Sequence, residues 1–334
     1  MKILYAIQGT GNGHISRAQE IIPHLLNYGH VDLLVSGTQA DVGLPYIIKY
    51  KKPGISYTFG KRGGIDFIDT IKKLRPFDFI KDIYQFPVHE YDVILNDFEP
   101  ITAWACKLKN KYCFGLSHQA AYLSNKTPRA DNKNFFAEWV FKFYAPVNDK
   151  IGFHFKAYDT FITTPVIRSV VRQQYSVNNG HITVYLPAYA DEMLLKHFNA
   201  IKDVEWHVFS KHSKRSYIKG NVKVYPVQNM PFVKSLASSN GLLTNGGFES
   251  PAEAIYLHKK VLAIPMQNQY EQQCNAKALK LMGGTVVNKV DNDFTNVLKN
   301  WLTYACPVKA SYTNHVPEIL DGIFSKVTSK LHVA

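Results

Sequence analysis

The sequence predicts an α/β protein with two doubly wound domains, each built on a parallel sheet. Short apolar strands alternate with segments of helical periodicity from Ile3 onward, and the alternation restarts at Ile182. The chain has 334 residues, which is long for one domain and sufficient for two. Parallel sheets of this kind bind their ligands beyond the carboxyl ends of the strands. We therefore expect the functional residues in the loops that follow the strands.

The composition supports substantial cores, since 46% of the residues are hydrophobic. The formal net charge of +13 is compatible with nucleic acid, an anionic membrane surface or an anionic substrate. The sequence has no zinc-finger spacing, no RRM-type aromatic strand and no clear basic recognition helix. Nucleic acid is therefore the least favoured of the three partners.

The cysteines and the N-terminus indicate a cytoplasmic protein. Cys106, Cys113, Cys274 and Cys306 are far apart and form no C-x-x-C pair, which predicts reduced core thiols and neither a disulfide framework nor a metal site. Met1 to Ile7 forms one short strand and lacks the longer apolar region of a signal peptide. No stretch reaches the roughly 18 apolar residues that are typical of a membrane span.

The N-terminal half opens with a strand, a glycine loop, a helix and a second strand. Ile3 to Ile7 is an apolar strand, the loop runs from Gln8 to His14, and Val31 to Val35 is the second strand. Between loop and second strand, a buried stripe has helical spacing and a plausible stop at Gly29; its residues are Ile21, Ile22, Leu25 and Leu26.

The glycine loop differs from the dinucleotide-binding fingerprint in two places. A G-x-G-x-x-G pattern that starts at Gly9 requires a third glycine at position 14, where the chain has His14. The acidic residue expected at the end of the second strand is missing, because Ser36 and Gly37 follow Val35. An NAD-dependent enzyme is therefore disfavoured.

The rest of this half supplies two more strands with polar residues at their ends. A glycine-rich loop at 60–64, expected to be mobile, precedes a segment predicted to be helical from about Ile65 to Tyr84. Tyr91 to Leu95 and Lys111 to Leu116 are the strands, and their ends lie where such sheets bind ligands. The polar residues that follow them are Asn96, Asp97, Glu99, Ser117, His118 and Gln119.

The stretch from 126 to 158 combines lysines with many aromatic residues and permits two interpretations. It is either packed helix and loop, or a surface for a membrane or a lipid-linked acceptor, with basic residues for anionic headgroups. A short strand from Asp159 to Thr163 follows, and then Pro165. We predict the boundary here, which gives domains at 1–164 and 165–334.

The C-terminal half centres on a strand, a Gly-Gly turn and a helix between Leu242 and Ala254. The turn at Gly246 and Gly247 lets the backbone approach a ligand, and N–H groups at the helix start favour an anion. Val261 to Ile264 is the next strand, and polar side chains suited to sugar hydroxyls follow from Gln267 to Gln273. A predicted site for phosphate beside a predicted site for sugar hydroxyls indicates a pocket for a nucleotide sugar.

A final segment, Phe294 to about Leu331, is predicted to be mostly helical. Before it, other strands complete the alternation of strands and helices in the C-terminal half. These strands are Ile182–Leu186, Trp206–Phe209, Val222–Tyr225 and Gly241–Thr244.

These motifs resemble those of the GT-B-fold, UDP-sugar-dependent glycosyltransferases. The chain is similar to the lipid-linked peptidoglycan N-acetylglucosaminyltransferases and, more loosely, to the plant-type UDP-glycosyltransferases. The similarity spans nearly the whole chain and rests on Gly9–His14, Asn245–Glu253 and Gln267–Ala276. It implies two facing Rossmann-like domains with the active site in the cleft, the acceptor on domain 1–164 and the donor on domain 165–334. The last helix is a candidate to pack back on the first domain.

The resemblance also implies roles for single residues. His14 corresponds to the general base, and Asp97 to the carboxylate that orients it. Glu253 corresponds to the ribose-binding glutamate, and Glu271 with Gln272 to the pair that holds the donor sugar. The implied donor-binding residues are Gly11, Gly13, Asn245, Gly246, Gly247, Ser250, Glu253, Glu271 and Gln272, with His118 and Gln119 as acceptor-side candidates.

Two positions depart from the plant-type pattern. Asn245 stands where those enzymes have a histidine, so one phosphate contact is changed or weakened. Pro187 to Tyr189 replaces a glycine-rich loop, which leaves backbone contacts to phosphate from this loop unsupported.

Three of these residues also have ordinary structural explanations. Ser250 to Glu253 has the S-x-x-E sequence of a capping box, in which Glu253 bonds the N–H of Ser250 and not a ribose. His14 titrates in the range that suits a base, but at a helix N-terminus it could bond nearby backbone instead. Glu99 could take the orienting role from Asp97, or both could cap strand ends.

The sequence therefore predicts a glycosyltransferase that moves a sugar from a UDP-type donor to an acceptor hydroxyl. We expect it to invert configuration and to need no metal or other cofactor, because backbone N–H groups and a helix dipole can stabilise the departing diphosphate. A lipid-linked or cell-envelope glycan is the expected acceptor, with a cytoplasmic location or a peripheral one at the inner face of the membrane. The alternatives are a UDP-sugar 2-epimerase and a non-catalytic protein that binds nucleotide sugars or polyanions.

Overall fold

The computed structural model describes residues 1–37, 43–54, 58–59, 65–66 and 76–331. Within these residues the chain forms two seven-stranded sheets and a two-stranded ribbon, with helices around the sheets. This architecture confirms the predicted pair of Rossmann-like domains.

The first sheet has the order β3-β2-β1-β6-β7-β8-β9, and its pairs are parallel. Its strands are β1 (Lys2–Gln8), β2 (His30–Ser36), β3 (Tyr50–Lys52), β6 (Val93–Asp97), β7 (Phe114–Ser117), β8 (Asp149–Phe153) and β9 (Ile162–Thr163). The ribbon pairs β4 (Thr58–Phe59) with β5 (Ile65–Asp66) in antiparallel fashion. The helices of this part are α1 (Asn12–Leu25), α2 (Pro76–Gln85), α3 (Pro100–Leu108) and α4 (Phe135–Phe143).

The second sheet has the order β12-β13-β11-β10-β14-β15-β16, and β12 is its antiparallel edge. Its strands are β10 (Ile182–Tyr185), β11 (Trp206–Ser210), β12 (Tyr217–Lys219), β13 (Val222–Pro226), β14 (Gly241–Asn245), β15 (Lys260–Ile264) and β16 (Thr285–Val286). The helices are α5 (Ser169–Arg172), α6 (Asp191–Phe198), α7 (Asn229–Ser238), α8 (Glu249–Tyr256), α9 (Tyr270–Leu281), α10 (Phe294–Tyr304) and α11 (Val316–Leu331).

Both sheets have central strands that are buried on both faces. Ile3 to Ile7 of β1 and Val261 to Ile264 of β15 are continuous apolar runs whose side chains are buried. Such runs are typical of parallel strands covered by helices on each side. The hydrophobic pattern therefore explains why helices pack on both faces.

The strand order reverses beside the first strand of each sheet. β1 lies between β2 and β6, and β10 lies between β11 and β14. A crevice opens beyond the carboxyl ends of the strands at such a point. The loops after β1, β6, β10 and β14 are therefore positioned to bind a ligand.

The last helix packs against α1 of the first domain. The rings of Tyr28 and Phe324 stack with centroids 4.1 Å apart, and the Tyr28 hydroxyl donates to Asp321. One apolar cluster contains side chains of both domains, including Leu25 and Leu320. The boundary predicted between residues 164 and 165 falls between β9 and β10.

Several local predictions were wrong. Ile65 and Asp66, predicted to be helical, form a strand, and Leu26 is 51% exposed although it belonged to the predicted buried stripe. β8 lies inside the stretch from 126 to 158, so the interpretation of this stretch as helix and loop alone was wrong. Its interpretation as a membrane or acceptor surface stays a prediction. The predicted loop at 60–64 and the segment at 67–75 lie outside the described residues.

The cysteines are free thiols, and three of the four are buried as predicted. Cys306 is exposed, so its assignment to a core was wrong. Across the described ranges, no helix combines the length and the apolar character needed to cross a membrane.

Candidate active site

The two crevices form one cavity of about 510 Å³ between the domains. Its first-domain wall comes from the start of α1 and the loops after β6 and β7, and its second-domain wall from the loops after β10, β11, β14 and β15. The predicted site residues that line it are Gly11, Gly13, His14, His118, Gln119, Asn245, Gly247, Ser250, Glu253, Glu271 and Gln272. The cavity therefore collects candidates from both domains.

His14 is held by a carboxylate from the neighbouring strand. Gly11 caps α1 with a φ of 87°, a conformation that favours glycine, and His14 follows in the first turn. The Nδ1 atom of His14 lies 2.8 Å from Oδ1 of Asp97, which is fully buried at the end of β6. A carboxylate can only accept, so Nδ1 carries the proton and Nε2 keeps its lone pair.

The second ring nitrogen of His14 lies toward the cavity wall. Nε2 of His14 lies 3.4 Å from Nε2 of Gln119, an amide donor at the cavity wall. The structure pairs His14 with Asp97, which contradicts the alternative that the ring only bonds nearby backbone. A neutral imidazole in this orientation can take a proton from a bound hydroxyl.

Asp97 and Glu99 have different tasks. Glu99 is the N-cap of α3 and accepts from the N–H groups of Ile101 at 2.9 Å and Thr102 at 2.7 Å. Burial raises the pKa of Glu99. Burial alone would also raise the pKa of Asp97, but Arg17 and His14 outweigh it and lower that pKa. Asp97, and not Glu99, thus remains the partner of His14.

Arg17 completes this group, although it was not among the residues predicted from the sequence. Its guanidinium donates to both oxygens of Asp97, from Nε at 3.0 Å and from NH2 at 2.7 Å. NH1 donates to Glu249 at the start of α8, in the other domain. Burial lowers the pKa of Arg17, but the charges of Asp97 and Glu249 outweigh it, so the pKa is raised. The signal in the sequence was the spacing of three residues from His14 on one helix.

The Gly-Gly turn after β14 has two different glycines. A Cβ on Gly246 would lie 2.5 Å from the backbone oxygen of Gln272, so this residue is packed against α9 and does not line the cavity. A Cβ on Gly247 would meet nothing within 4 Å, and Gly247 lines the cavity. Gly247 is therefore the member of the pair that faces a ligand.

The capping-box explanation of Glu253 was wrong. α8 begins at Glu249 and has no side-chain cap, so Ser250 lies inside the helix. The carboxylate of Glu253 instead accepts from Arg168, at 2.5 Å from Nε and 2.8 Å from NH2. Both side chains are buried at the cavity edge. The ribose role of Glu253 stays a prediction.

Polar groups at the start of α9 reach the first domain. Gln119 donates from Nε2 to Oε2 of Glu271 at 3.1 Å, and thereby stands between Glu271 and His14. Burial raises the pKa of Glu271. Gln272 accepts the N–H of Met266 at 2.9 Å through Oε1. Its side-chain NH2 group is the part that can donate to a ligand.

Three residues that line the cavity have a buried side-chain oxygen with no hydrogen-bond partner among the described residues. The atoms are Oε1 of Gln119, Oδ1 of Asn245 and Oε1 of Gln269. A buried polar atom without a partner is costly, so a site that holds a polar ligand is the natural explanation. All three atoms would accept from hydroxyl or N–H groups of such a ligand.

His118 has a structural role at the domain interface. Its Nδ1 lies 2.8 Å from the carbonyl oxygen of Phe153, and its ring stacks on Phe248 at 3.9 Å. Nε2 lies 2.9 Å from Oδ1 of Asn275 in α9. Burial lowers the pKa of His118 to about 3, so the ring is neutral at pH 7.

The cavity also contains groups that the sequence did not single out. Phe98 has a φ of 56°, and its ring lies 5.0 Å from that of Tyr144, the residue that follows α4. A positive φ is strained for phenylalanine and marks functional sites. Lys211 lines the second-domain wall after β11. In the described parts of the chain, no group of three or more His, Cys, Asp or Glu residues could hold a metal ion. The predicted independence from metal stays a prediction.

Comparisons with known proteins agree with this geometry. The profile of glycosyl transferase family 1 matches residues 71–305. No curated protein sequence is significantly similar to the chain.

Solved structures with similar folds cover nearly the whole chain. LpCGTa in complex with UDP has a TM-score of 0.62 at 11% identity, over 98% of this chain and 99% of that one. UGT89C1 of Arabidopsis thaliana complexed with UDP has a TM-score of 0.59 at 13% identity, over 98% and 99%. MurG of Acinetobacter baumannii has a TM-score of 0.58 at 12% identity, over 97% and 99%. At such identities the similarity shows the fold, which is GT-B.

Proposed function

Because the chain belongs to glycosyl transferase family 1, we propose that it moves a sugar from a UDP-sugar to an acceptor hydroxyl, with His14 as the base. The observation that carries this proposal is the His14–Asp97 pair at 2.8 Å, which faces the start of α8 across one cavity. The pair supplies a base on the first domain, and α8 supplies a seat for an anion on the second.

The proposed step is a single displacement. The acceptor oxygen forms a bond to the anomeric carbon while its proton moves to Nε2 of His14. The bond between that carbon and the diphosphate oxygen breaks, and the diphosphate leaves with the electron pair. Attack opposite the leaving group inverts the configuration at the anomeric carbon. Asp97 stabilises the imidazolium that forms, as a carboxylate does in other histidine-based sites.

The departing diphosphate carries the charge that the second domain must stabilise. Backbone N–H groups at Gly247 and the positive end of the α8 dipole are suited to this task. Lys211 adds a positive side chain to the same wall. Together they provide a route that needs no metal, which is how we propose that the reaction proceeds.

Polar residues of α8 and of the segment after β15 are the proposed contacts of the donor. We assign the sugar hydroxyls to Glu271 and Gln272, and the ribose to Glu253. The unpartnered oxygens of Gln119 and Asn245 accept hydroxyl or N–H groups of the bound substrates. Uracil as the base is supported by the two UDP complexes among the similar structures.

The acceptor that we propose is amphipathic, and a lipid-linked glycan is its natural form. α4 exposes Phe135 by 83%, Phe136 by 64% and Trp139 by 56%, and its last residue precedes Tyr144 in the cavity. Lysines in and before the helix, Lys133 and Lys142, are exposed. Aromatic side chains beside basic ones suit the interface of an anionic membrane, so we propose a peripheral location there.

A donor screen followed by an assay tests this function. Thermal shift across a panel of nucleotide sugars identifies the donor, because stabilisation grows with the ratio of ligand concentration to Kd. UDP release is then measured with glucose and with octyl glucoside, which share a head group and differ in the apolar chain. We expect turnover with the octyl compound and His14→Ala to lower kcat about 10²–10⁴-fold with the thermal shift retained.

Incubation without an acceptor separates the alternatives. Conversion of UDP-GlcNAc without any acceptor and without release of UDP is the behaviour of a 2-epimerase. Thermal shift without turnover of any donor indicates a binding protein. Wild-type kcat in His14→Ala contradicts the proposed mechanism.

A further inference from the structure

We infer that Arg17 is a positioning residue that fixes Asp97 behind His14 and connects this pair to Glu249 of the second domain. The inference rests on the proposed function, in which His14 is the base. Arg17 itself is 2% exposed and acts through Asp97, so its role is to hold the base in position.

Contacts with Arg17 and His14 fix the orientation of the Asp97 carboxylate. His14 and Arg17 lie three positions apart on α1 and therefore share a face of the helix. Arg17 binds both oxygens of Asp97, at 3.0 and 2.7 Å, and Oδ1 also receives His14 at 2.8 Å. A planar guanidinium that grips both oxygens fixes the plane of the carboxylate, and the imidazole then has one orientation.

Arg17 also matches the charge of Asp97. A buried carboxylate without a matching cation is costly. The guanidinium lowers the pKa of Asp97 against the effect of burial, and its NH2 lies 3.1 Å from Nδ1 of His14. Asp97 therefore stays ionised where it accepts from the imidazole.

Glu249 ties this arrangement to the other domain. Its carboxylate accepts from NH1 of Arg17, and it belongs to the first turn of α8, where the diphosphate is proposed to bind. A Cβ on Gly13 would lie 2.5 Å from Oε2 of Glu249, so a larger residue here would displace this carboxylate from its contact with Arg17. The contact requires α1 and α8 to be adjacent. The environment of the base is therefore built from both domains.

Other charged groups also face the imidazole. Glu271 approaches from α9 through Gln119, and His118 lies behind the same wall. His118 is neutral at pH 7 because burial lowers its pKa to about 3. Asp97, Glu249 and Glu271 are the acidic groups around His14, and Arg17 is the cation that directly contacts its ring nitrogen.

Arg17→Lys tests the positioning role, because lysine keeps the charge but cannot grip two oxygens and reach Glu249. We expect kcat to fall about 10–100-fold while the donor KM changes less than about 3-fold, as for a group that acts on the transition state. A merely structural role predicts a lower melting temperature with unchanged kcat of the folded enzyme. That result overturns the inference.

NMR of the His14 imidazole in the unliganded protein tests the positioning without any turnover, because it reports whether Nδ1–H is hydrogen-bonded. Arg17→Gln removes the grip on both oxygens of Asp97, so the Nδ1–H proton is expected to exchange faster with water. Glu249→Gln removes the second anchor of Arg17 and is expected to act in the same direction, which covers the case that Arg17→Gln does not fold. His14→Ala identifies the signal. Unchanged exchange of Nδ1–H in both variants overturns the inference.

The two failures can be told apart. If wild-type enzyme turns over no nucleotide sugar, the proposed function fails while exchange of the Nδ1–H proton still measures the link between Arg17 and His14. If turnover occurs but no variant of Arg17 or Glu249 changes kcat or that exchange, the role of Arg17 fails alone.

Discussion

At the scale of single residues, Glu253 has a partner that neither interpretation of the sequence included. Its carboxylate is buried and is matched by Arg168, which also donates from NH1 to Oδ1 of Asn229 at 2.5 Å. An ion pair that is removed from water depends on both partners. The pair therefore holds α5 against α8 at the cavity edge, whether or not ribose is bound.

Glu253→Gln leaves the charge of Arg168 buried and unmatched. We expect the free energy of unfolding to fall by about 1–3 kcal/mol, measured by denaturant titration. Ser250→Ala is the matched control and is expected to stay within about 0.5 kcal/mol, because Ser250 caps nothing. A loss of about 1 kcal/mol in Ser250→Ala would instead restore the capping box.

At the scale of elements, the turn between β14 and α8 combines packing with binding. Gly246 is glycine because α9 approaches its backbone, whereas Gly247 borders open space. Neither has a positive φ, so alanine at either position is compatible with the backbone conformation. The two positions therefore separate stability from binding.

Gly246→Ala places a methyl group 2.5 Å from the backbone of α9 and is expected to reduce stability by about 1–3 kcal/mol. Gly247→Ala is expected to change stability by less than about 0.5 kcal/mol and to raise the donor KM, because its methyl group enters the cavity. Calorimetry and donor kinetics on both variants measure this contrast. Equal effects of the two substitutions contradict the assignment.

The second element is α4, whose exposed Trp139 contacts Phe136 and Phe143 of the same helix. Replacing Phe135 and Trp139 by serine is expected to change the melting temperature by less than about 3 °C, since surface substitutions cost little. The same variant is expected to lose binding to phosphatidylcholine vesicles that contain phosphatidylglycerol. Tyr175→Ser is the control, because Tyr175 is 92% exposed but belongs to a different segment. Retained vesicle binding in the double variant rules out α4 as the membrane contact.

At the scale of the whole molecule, buried groups hold the two domains together. His118 of the first domain contacts Asn275 and Phe248 of the second, and Tyr122 also donates its hydroxyl to Asn275. Tyr270 of α9 donates to Glu138 of α4 at 2.8 Å. The His118 ring is buried in this interface, so its protonation state affects the stability of the assembled molecule.

The stability of the assembled molecule is expected to fall with acid. Burial lowers the pKa of His118 to about 3, while the unfolded chain binds a proton near pH 6.5. Stability is therefore complete above about pH 6.5 and is lost as the pH falls toward 3, by about 1.4 kcal/mol per pH unit for each such histidine.

Denaturant titrations of wild type and His118→Gln between pH 6.5 and 4 measure this slope. The slope of the unfolding free energy against pH is expected to be smaller in the variant by the contribution of one histidine. The contribution of His154 is expected to remain, because burial also lowers the pKa of His154. An identical slope in both proteins shows that His118 is protonated in the fold.

The sequence predicted the elements that depend on local pattern. Ile3 to Ile7 and Val261 to Ile264 were predicted as strands because a continuous apolar run between turn residues has few other solutions. Ile65 and Asp66 were assigned to a helix and form a strand, since two residues carry no periodicity and their pairing with β4 decides the conformation.

The sequence by itself determined the fold class, the order of the strands along the chain and the identity of His14, Asp97 and Gly247 as candidates, because these follow from hydrophobic period, turn chemistry and motif. Only the tertiary structure decided the partners of those residues. Arg17 meets Glu249 across 232 positions of sequence, and Arg168 meets Glu253 across 85. Such pairs arise from how two sheets face each other. A linear pattern does not encode that distance, so the chemistry of the cleft becomes visible only once the domains are assembled.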